Sequence, residues 1–338
     1  MENQHVGKHS IHFNKAPIIQ GWSSVAGKKE GEGPLGNCFD MVITDSYFQQ
    51  KSWELAERKL QQTAFEIVLK KTELTKDHIG AVLSGDLLNQ CISSSSSLAN
   101  KSIPHLGLYG ACSTMAESLL IGAVLVSGGF SEHVAAITSS HFASSERQYR
   151  FPLDYGGQRP PTSQWTVTGS GAVILSAGCS GPKITRCTIG TVVDLGVTDA
   201  NNMGAAMAPA AMTTIQTHFE DFKVDEDYYD YIVTGDLGEL GVAALLKLAE
   251  YNGMNLNGKV MDCGLEIFDR SKQDVHAGGS GCGCSALVLC GKLLDQIKSG
   301  KLKRILFCGT GALLSPTSVQ QGLSIPAICH AISIEGDN

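Results

Sequence analysis

One cysteine has the surroundings that thiol chemistry requires. Cys112 lies in the segment Gly-Ala-Cys-Ser-Thr, after the strand-like run HLGLY and before a long helical pattern. The unpaired N–H groups and the dipole at a helix N-terminus stabilise a thiolate, so we expect the pKa of Cys112 to lie below the usual value of about 8.5. The small Gly110 and Ala111 permit a sharp strand-to-helix turn, which is the geometry of a nucleophile elbow. A buried structural cysteine is the alternative, because free cysteines are usually buried.

Three side chains after this cysteine are candidates for binding an anionic ligand. His141 directly follows a predicted strand, and Arg147 and Arg150 lie in the loop after it, whose aromatic content indicates an ordered structure. Arginine suits such a contact because its guanidinium group binds a carboxylate through two parallel hydrogen bonds. A salt bridge to Glu146 or Asp154 is the alternative for each arginine. A structural hydrogen bond is the alternative for His141.

Polar residues near other strand ends extend the set of candidates. Asp86 and Asp236 each follow a short apolar strand, and we expect them to be a symmetric structural pair, with ligand binding by Asp86 as the alternative. His276 lies in a glycine-rich loop before a predicted helix and is a further ligand candidate. We expect the serine run at 93–97 to be a solvated loop.

A repeat in the chain explains where these residues lie. Residues 79–86, IGAVLSGD, and residues 229–236, YDYIVTGD, are both short apolar runs that end in Gly-Asp, as buried strands do. A helical pattern precedes each run at the same offset. Residues 110–130 and 281–301 are both amphipathic helical stretches that begin with small residues, and a strand follows each. Two copies of one unit explain this order better than chance similarity of glycine-rich strand ends.

A layered α/β fold follows from the repeat. Matched units of buried strands and amphipathic helices bury their apolar faces when the sheets lie between layers of helices. We place the first half at residues 10–180 and the second at 182–335. The composition, with 43% hydrophobic and 17% charged residues over 338 positions, provides the apolar side chains that such a core needs.

The bulk properties exclude several classes of partner and site. The formal net charge of -7 argues against nucleic acid as a main partner. No run of about 18 apolar residues is present, and the N-terminal stretch lacks the apolar core of a secretion signal, so we expect a soluble chain without a membrane span. Eleven irregularly spaced cysteines indicate free thiols rather than disulfides. Cys282 and Cys284 lack the further ligands that a zinc site needs, and we expect neither a metal nor a cofactor.

Two segments resemble the thiolase superfamily, which includes the β-ketoacyl-acyl-carrier-protein synthases. GACSTMAES after an apolar strand is similar to the active-cysteine elbow of these enzymes, and TVTGSGAVILS is similar to their glycine-rich strand. Over nearly its full length the chain also resembles the stage V sporulation protein AD family of spore-forming Firmicutes. The stretches that carry this second resemblance are EGPLGNCFD, WELAERKL, SGDLLNQ, GACSTMAES, TSSH, ERQYRFP, YGGQRP, TVTGSGAV, DLGVTDANNMGAAMAPAA, DCGLEIF, AGGSGCGCSA and GTGALLSPTSVQQG.

These resemblances imply a fold, a ligand and a location. The superfamily implies a thiolase-like, layered αβαβα fold built from two duplicated βα halves, and a homodimer. The sporulation family implies binding of dipicolinic acid, pyridine-2,6-dicarboxylate, for its uptake into the developing spore, largely as the calcium chelate. It also implies other membrane proteins of the same transport assembly as partners, a peripheral position at the spore inner membrane, and a link to germination.

The resemblance further implies that catalysis has been lost. Condensing enzymes of the superfamily pair the cysteine with two polar residues, usually His and Asn or two His, which activate the thiol and stabilise the oxyanion. The corresponding segments here are Thr-Gly-Asp-Leu-Gly at 234–238 and His-Ala-Gly-Gly-Ser-Gly at 276–281, and neither has His or Asn at the expected position. We therefore expect a non-catalytic binding protein in which Cys112 is a relic nucleophile. The alternatives are an active acyltransferase or β-ketoacyl synthase that uses Cys112, and a structural partner with an empty pocket.

The expected binding site lies near the cysteine elbow. We expect the carboxylates of dipicolinate to be directed at the N-terminus of the helix after Cys112, and at one or more of His141, Arg147 and Arg150. A rigid dianion needs converging cationic and N–H donors, and an acidic chain must concentrate such donors locally.

Overall fold

The computed structural model describes residues 3–149 and 156–337, which alternate between strands and helices. The strands are β1 (His5–Val6), β2 (Ser10–His12), β3 (Ile18–Ala26), β4 (Met41–Val42), β5 (Ala81–Gly85), β6 (His105–Gly107), β7 (His133–Ser140), β8 (Trp165–Thr166), β9 (Gly169–Ser176), β10 (Lys183–Thr188), β11 (Tyr231–Thr234), β12 (Val260–Asp262), β13 (Gly279–Ser280), β14 (Arg304–Ala312) and β15 (Ala327–Glu335). The α-helices are α1 (Lys28–Gly31), α2 (Trp53–Thr72), α3 (Ile92–Ser97), α4 (Thr114–Ser127), α5 (Phe142–Tyr149), α6 (Met203–Phe222), α7 (Gly238–Tyr251), α8 (Cys263–Glu266), α9 (Cys282–Val288), α10 (Leu294–Lys298) and α11 (Pro316–Gln320).

The order of strands in the large mixed sheet repeats. The main path of this sheet is β12-β11-β14-β15-β10-β3-β9-β7-β5-β6. In the first half, β5 is parallel to β6 and β7, and β9 is antiparallel to β7 and β3. In the second half, β11 is parallel to β12 and β14, and β15 is antiparallel to β14 and β10. The same five-strand order therefore occurs twice, as the repeat in the sequence predicts.

The two repeated strand patterns meet between β9 and β10. β9 ends at Ser176 and β10 begins at Lys183, so the predicted boundary near 180–182 falls in the connection. The division of the chain into two thiolase-like halves at 10–180 and 182–335 stays a prediction. β5 and β11, which we predicted to be equivalent, occupy matching positions, each one strand in from an edge of the sheet.

Helices lie in three layers around the strands. α2 packs on β3, β7 and β9, and α6 packs on β10, β14 and β15, with α7 against α6. α4 lies between the halves, because it contacts β5 and β7 on one side and β14 and β15 on the other. α9 joins it in this middle layer and packs on β7 and β9. The arrangement is the layered αβαβα fold that the sequence predicts.

The middle layer explains the composition of α4. A helix that has strands on two sides is apolar on most of its surface, unlike a surface helix with a single apolar stripe. Met115, Leu119 and Ala123 are fully buried, and they join a cluster with Leu287 from α9 and Phe307 from β14. Separate apolar clusters lie under α2 and under α6. In the described ranges, no helix has both the length and the apolar character needed to cross a bilayer.

The aromatic segment after β7 is partly helical rather than a loop throughout. Phe142–Tyr149 forms α5, and Trp165–Thr166 forms β8, which pairs with β13. The ring of Phe142 stacks on that of Trp165, with 3.8 Å between the ring centres and 9° between the planes. The sequence hides this helix because its eight residues form only about two turns, fewer than the window over which a helical period is recognised.

Candidate functional site

A tight turn places Cys112 at the start of the central helix. Residues Ala111–Ser113 form a 3-10 turn that leads directly into α4. Ala111 has a φ of 49°, a left-handed conformation that is uncommon for a residue with a Cβ and that occurs often at functional sites. The Thr114 hydroxyl donates to the Ala111 carbonyl at 2.6 Å, and the Ser113 hydroxyl donates to the Gly110 carbonyl at 2.7 Å. The predicted elbow is therefore present.

The thiol of Cys112 lies beside a buried carboxylate. The Cys112 side chain is 5% exposed, and its Sγ is 3.8 Å from the Ser280 hydroxyl. Burial, and next the charge of Asp236, raise the pKa of the Cys112 thiol well above its usual range. Our expectation of a lowered pKa is wrong, because desolvation and the adjacent carboxylate outweigh the helix N-terminus.

The sequence analysis named Asp236 as a structural acid but missed its position beside Cys112. Its carboxylate accepts hydrogen bonds from the Ser280 hydroxyl at 2.8 Å, the Gly281 N–H at 2.9 Å and the Thr310 hydroxyl at 2.9 Å. We predicted a structural acid at the end of a strand, and the hydrogen bonds fit that role. The repeat offered a signal for this proximity. Asp236 lies at the carboxyl end of β11 in the second half, and that end faces α4, the helix of the first half that begins after Cys112.

A cavity of about 240 Å³ opens from the Cys112 thiol, and we name it the Cys112 cavity. Hydroxyl, amide and carboxyl groups line one part of it, and Leu87, Met203 and Leu314 line another. Among the described residues that line it, none is Lys, Arg or His, and Glu146 is the acid. The polar residues that line it include Tyr109, Ser145, Glu146, Ser163, Gln164 and Thr166.

Most polar groups of the Cys112 cavity already have protein partners. The Thr166 hydroxyl donates to the Glu146 carboxylate at 3.1 Å. The Gln164 side-chain amide donates to the backbone carbonyls of Asp236 and Gly279, both at 2.8 Å. The wall of the cavity is thus held in one arrangement, which favours binding of a ligand of fixed shape.

A second cavity, of about 750 Å³, lies on the other side of α5 and β8, and we name it the Lys29 cavity. Phe142 and Trp165 face it, whereas Glu146 and Thr166, on the same two elements, face the Cys112 cavity. The Lys29 Nζ lies 3.6 Å from the centre of the Trp165 ring, and burial and then Arg159 lower the pKa of Lys29. The lining also contains Lys28, Lys272, Trp53, the acids Glu30, Glu32 and Asp274, and His141.

His141 lies at the Lys29 cavity rather than at the Cys112 cavity. Its Nε2 is 2.8 Å from the Ser46 carbonyl oxygen, and its Nδ1 is 3.2 Å from the Ala143 N–H. A carbonyl only accepts and an N–H only donates, so these contacts fit the neutral ring with its proton on Nε2. Burial lowers the pKa of His141, which favours the same form. The structural hydrogen bond that we set as the alternative is present.

The predicted cationic residues are not gathered around Cys112. Arg147 forms an ion pair with Glu54, rather than with either acid that we proposed, and its guanidinium carbon lies 5.7 Å from the centre of the Trp53 ring. His276 lies 3.4 Å from the carboxylate of Asp274 and lines neither cavity. Arg150 lies outside the described residues, as does Asp154.

Asp86 belongs to a buried polar network behind the first-half strands. Its carboxylate accepts from the Ser94 N–H at 2.7 Å and from the Ser94 hydroxyl at 2.6 Å. Burial raises the pKa of Asp86, and burial and then the charge of Asp86 raise that of Glu57. The Ser97 hydroxyl donates to the Gln61 side-chain oxygen at 3.1 Å. Our prediction of a solvated serine loop is wrong, because the run forms part of α3 and three of its serines are buried, although Ser95 is exposed.

Comparison with known proteins assigns the chain to a family. Residues 7–335 match the stage V sporulation protein AD family. The stage V sporulation protein AD of Bacillus subtilis (strain 168) is 45% identical over 329 residues, which cover 97% of both chains. The chain belongs to the stage V sporulation protein AD family. Membership in this family supports a role in sporulation.

Solved structures identify the fold of this family member as thiolase-like. The 3-oxoacyl-[acyl-carrier-protein] synthase III of Aquifex aeolicus has a TM-score of 0.58 and 12% identity, with 94% of this chain and 99% of that one covered. Cerulenin-bound OleA of Xanthomonas campestris has a TM-score of 0.61 and 14% identity, with 96% and 98% covered. At this identity the likeness shows the shared fold, and activity is a separate question.

Proposed function

We propose that this chain is a non-catalytic binding protein for dipicolinate that serves the uptake of this acid into the developing spore. The observation that carries the proposal is the carboxylate of Asp236 beside the thiol of Cys112. A small polar cavity opens from that thiol, and no described histidine lines it. The site therefore has a cysteine at a strand-to-helix turn, as condensing enzymes do, and a carboxylate beside it that opposes thiolate chemistry.

Acyl transfer through Cys112 is disfavoured by electrostatics. The attacking species in such a reaction is the thiolate, and the tetrahedral intermediate carries a negative oxygen that N–H or imidazole donors stabilise. Burial and the charge of Asp236 keep the Cys112 thiol protonated by raising its pKa. The same carboxylate would repel a negative oxygen that forms next to it. We therefore propose that Cys112 is part of a ligand-binding wall.

The cavity suits a small planar ligand that carries little net charge. Leu87, Met203 and Leu314 offer apolar surface to an aromatic ring, and the polar part of the wall, which includes Ser145 and Asn201, offers hydrogen bonds to carboxylates. Among the described lining residues none is Lys, Arg or His, so the described wall offers a bare dianion no cationic contact. Calcium held by the two carboxylates and the ring nitrogen cancels the charge of the acid. We therefore propose that dipicolinate enters largely as its calcium chelate.

The other predicted contacts require specific changes. Arg147 must leave Glu54 to approach a ligand in the Cys112 cavity. His141, Asp86 and His276 line no part of that cavity, so a role for them there requires rearrangement. Arg150 stays a proposed carboxylate partner.

The proposal includes assembly with other proteins. We propose a peripheral position at the spore inner membrane, contacts with other membrane proteins of the same uptake assembly, and a homodimer. The dimer is supported by β6, an edge strand of the sheet, whose Leu106 is 47% exposed. An exposed apolar edge strand favours pairing with a second chain.

Calorimetry with dipicolinate, with and without calcium, tests the binding proposal. We expect wild type to bind, and we expect Cys112→Trp, which fills the cavity, to lose binding while it remains folded. Loss of one cationic contact should weaken binding roughly tenfold to a hundredfold, so Arg147→Ala and Arg150→Ala test those contacts. Equal binding by wild type and Cys112→Trp would place the ligand elsewhere.

An active cysteine acyltransferase is the second candidate function. The elbow geometry favours it, and Ala111 has the strained φ that often accompanies a nucleophile turn. Mass spectrometry after incubation with acetyl and longer acyl thioesters distinguishes the two. We expect no acyl adduct on Cys112. A stoichiometric adduct that is absent from Cys112→Ala would support the enzyme.

A further inference from the structure

One hydroxyl in the wall of the Cys112 cavity has no protein partner. The Ser145 side chain is 2% exposed and lines the cavity, and its Oγ has no hydrogen-bond partner among the described residues. A buried hydroxyl without a partner has lost its bonds to water and gained nothing in return. A native protein tolerates such a group more readily where a ligand completes its hydrogen bonding.

Other hydroxyl groups around the cavity do not share this property. The Ser163 hydroxyl, which lines the same cavity, donates to the Pro160 carbonyl at 2.8 Å. The Ser280 hydroxyl donates to Asp236, and the Thr166 hydroxyl donates to Glu146. Ser145 therefore differs from its neighbours in being a residue of the cavity wall whose buried hydroxyl has no partner among the described residues.

The helix that carries Ser145 is anchored on both sides of it. The Ser144 hydroxyl donates to the Glu57 carboxylate at 2.8 Å, and Arg147 pairs with Glu54 on the same helix, α2. At the start of α5, the ring of Phe142 stacks on that of Trp165. These contacts fix the rotation of α5, so the hydroxyl of Ser145 stays at the cavity wall.

Of the buried serines whose hydroxyl has no partner among the described residues, Ser145 is the one that lines the Cys112 cavity. Ser118 in α4 and Ser285 in α9 also have buried hydroxyl groups without a partner among the described residues. Neither lines the Cys112 cavity or the Lys29 cavity. Ser118 and Ser285 show that packing alone can leave a hydroxyl unpaired. Their alanine variants are controls for the effect of removing an unpaired hydroxyl.

We propose that Ser145 is the specificity-determining contact of the Cys112 cavity, where its hydroxyl donates to an acceptor atom of the bound ligand. The acceptor is a carboxylate oxygen of a small heteroaromatic carboxylate, or its ring nitrogen in the calcium-free acid, because calcium holds the lone pair of that nitrogen in the chelate. This inference rests on the proposed function, because it requires the ligand to occupy this cavity. A ligand without an acceptor at that point leaves the hydroxyl unpaired and binds more weakly.

Two matched variants test the inference by calorimetry and thermal denaturation. Ser145→Ala should weaken dipicolinate binding roughly tenfold to a hundredfold, because a hydrogen bond to a charged group is lost. Its ligand-free Tm should stay unchanged or rise, because no protein hydrogen bond is removed. Ser23→Ala should keep wild-type affinity within about threefold and lower the ligand-free Tm, because Ser23 is buried, lines neither cavity and donates its hydroxyl to the Ala64 carbonyl at 2.6 Å. If the role of Ser145 is solely structural, Ser145→Ala should keep the affinity of wild type and lower the ligand-free Tm.

A change of ligand identifies the acceptor atom. Benzene-1,3-dicarboxylate keeps both carboxylates and lacks the ring nitrogen. If Ser145 donates to the nitrogen, Ser145→Ala should weaken binding of dipicolinate alone. If it donates to a carboxylate, the substitution should weaken binding of both acids. Ser145→Cys, which retains a weak donor in the same place, should bind dipicolinate with intermediate affinity.

The outcomes separate this inference from the proposed function. Wild-type affinity in Ser145→Ala, or a loss of affinity as large in Ser118→Ala, overturns the inference and leaves dipicolinate binding in place. A lowered ligand-free Tm with unchanged affinity in Ser145→Ala overturns it in favour of a structural role. Failure of wild type to bind dipicolinate overturns both proposals.

Discussion

Each half of the molecule has a cysteine at the start of its middle-layer helix, and the surroundings of the two differ. Cys112 lies in the 3-10 turn that leads into α4, and Cys282 begins α9, the matching helix of the second half. The Cys112 thiol faces a cavity, whereas the Cys282 Sγ lies 2.9 Å from the Ser139 carbonyl oxygen and is fully buried. An acid at a strand end lies near each thiol, Asp236 in one case and Asp86 in the other. One copy of the turn thus borders the Cys112 cavity and the other is packed into the core.

Glycines explain why the second turn has no room for a cavity. A Cβ atom at Gly283 would lie 2.6 Å from the Ser140 hydroxyl and 2.7 Å from the Gly169 carbonyl oxygen. The start of α9 therefore contacts β7 and β9 at a distance that only glycine allows. The comparison teaches that a duplicated turn becomes a site only where the adjacent strand ends leave space. The acid beside each thiol has a structural task in both halves.

Removal of either strand-end acid should have the largest effect, and it tests the symmetry of the two sites. Asp236→Ala leaves three buried donors unpaired, and Asp86→Ala leaves the Leu88 N–H and two donors of Ser94 unpaired. Each unpaired buried donor costs about 1–3 kcal/mol, so we expect each variant to lose roughly 3 kcal/mol or more of unfolding free energy. Urea denaturation measures the unfolding free energy of both variants. If Asp86→Ala keeps the unfolding free energy of wild type while Asp236→Ala loses it, the two acids do not have the same structural role.

An enlarged side chain at each cysteine should distinguish the open turn from the packed one. Cys282→Phe overpacks a core without space and should cost roughly 1–3 kcal/mol of unfolding free energy. Cys112→Phe should cost less, because the ring enters the Cys112 cavity, and it should abolish binding of dipicolinate. Cys282→Ala and Cys112→Ala are the controls for loss of the thiol alone. Equal costs for the two Phe variants would contradict an open cavity at Cys112.

Neutralisation of Asp236 should have the smallest effect, and among the cysteines it should act most on Cys112, because Asp236 is the first cause after burial there and a later one for Cys284. Burial comes first and the charge of Asp236 second in raising the pKa of Cys112, so Asp236→Asn should lower that pKa in part. A lower pKa increases the thiolate fraction at a given pH and reduces its nucleophilicity, so alkylation should accelerate roughly threefold per unit of pKa. Labelling with iodoacetamide from pH 7 to 9, followed by mass spectrometry, measures the alkylation rate of each cysteine. An unchanged profile at Cys112 would mean that burial alone sets its pKa.

The repeated fold could be predicted from the sequence because it depends on local patterns. The runs 79–86 and 229–236 have the apolar residues and the Gly-Asp ending of buried strands, and they form the matching β5 and β11. The turn at Cys112 could be predicted for the same reason, since small residues between a strand and a helix are a local signal. The layered architecture then follows from the need to cover both faces of each sheet.

The surroundings of the site could not be predicted, because they depend on contacts between distant segments. Cys112 and Asp236 are 124 positions apart, and the pKa of the thiol depends on their proximity. The two faces of α5, one toward each cavity, have no signal in eight polar and aromatic residues. Arg147 pairs with Glu54, an acid on a helix that no spacing rule connects to it.

A crystal structure of the protein grown with calcium and dipicolinate tests the central claim most directly. The account predicts electron density for the acid in the Cys112 cavity, without a covalent bond to Cys112 and with an acceptor atom within hydrogen-bond distance of the Ser145 hydroxyl. Density in the Lys29 cavity, with the Cys112 cavity empty, would contradict it.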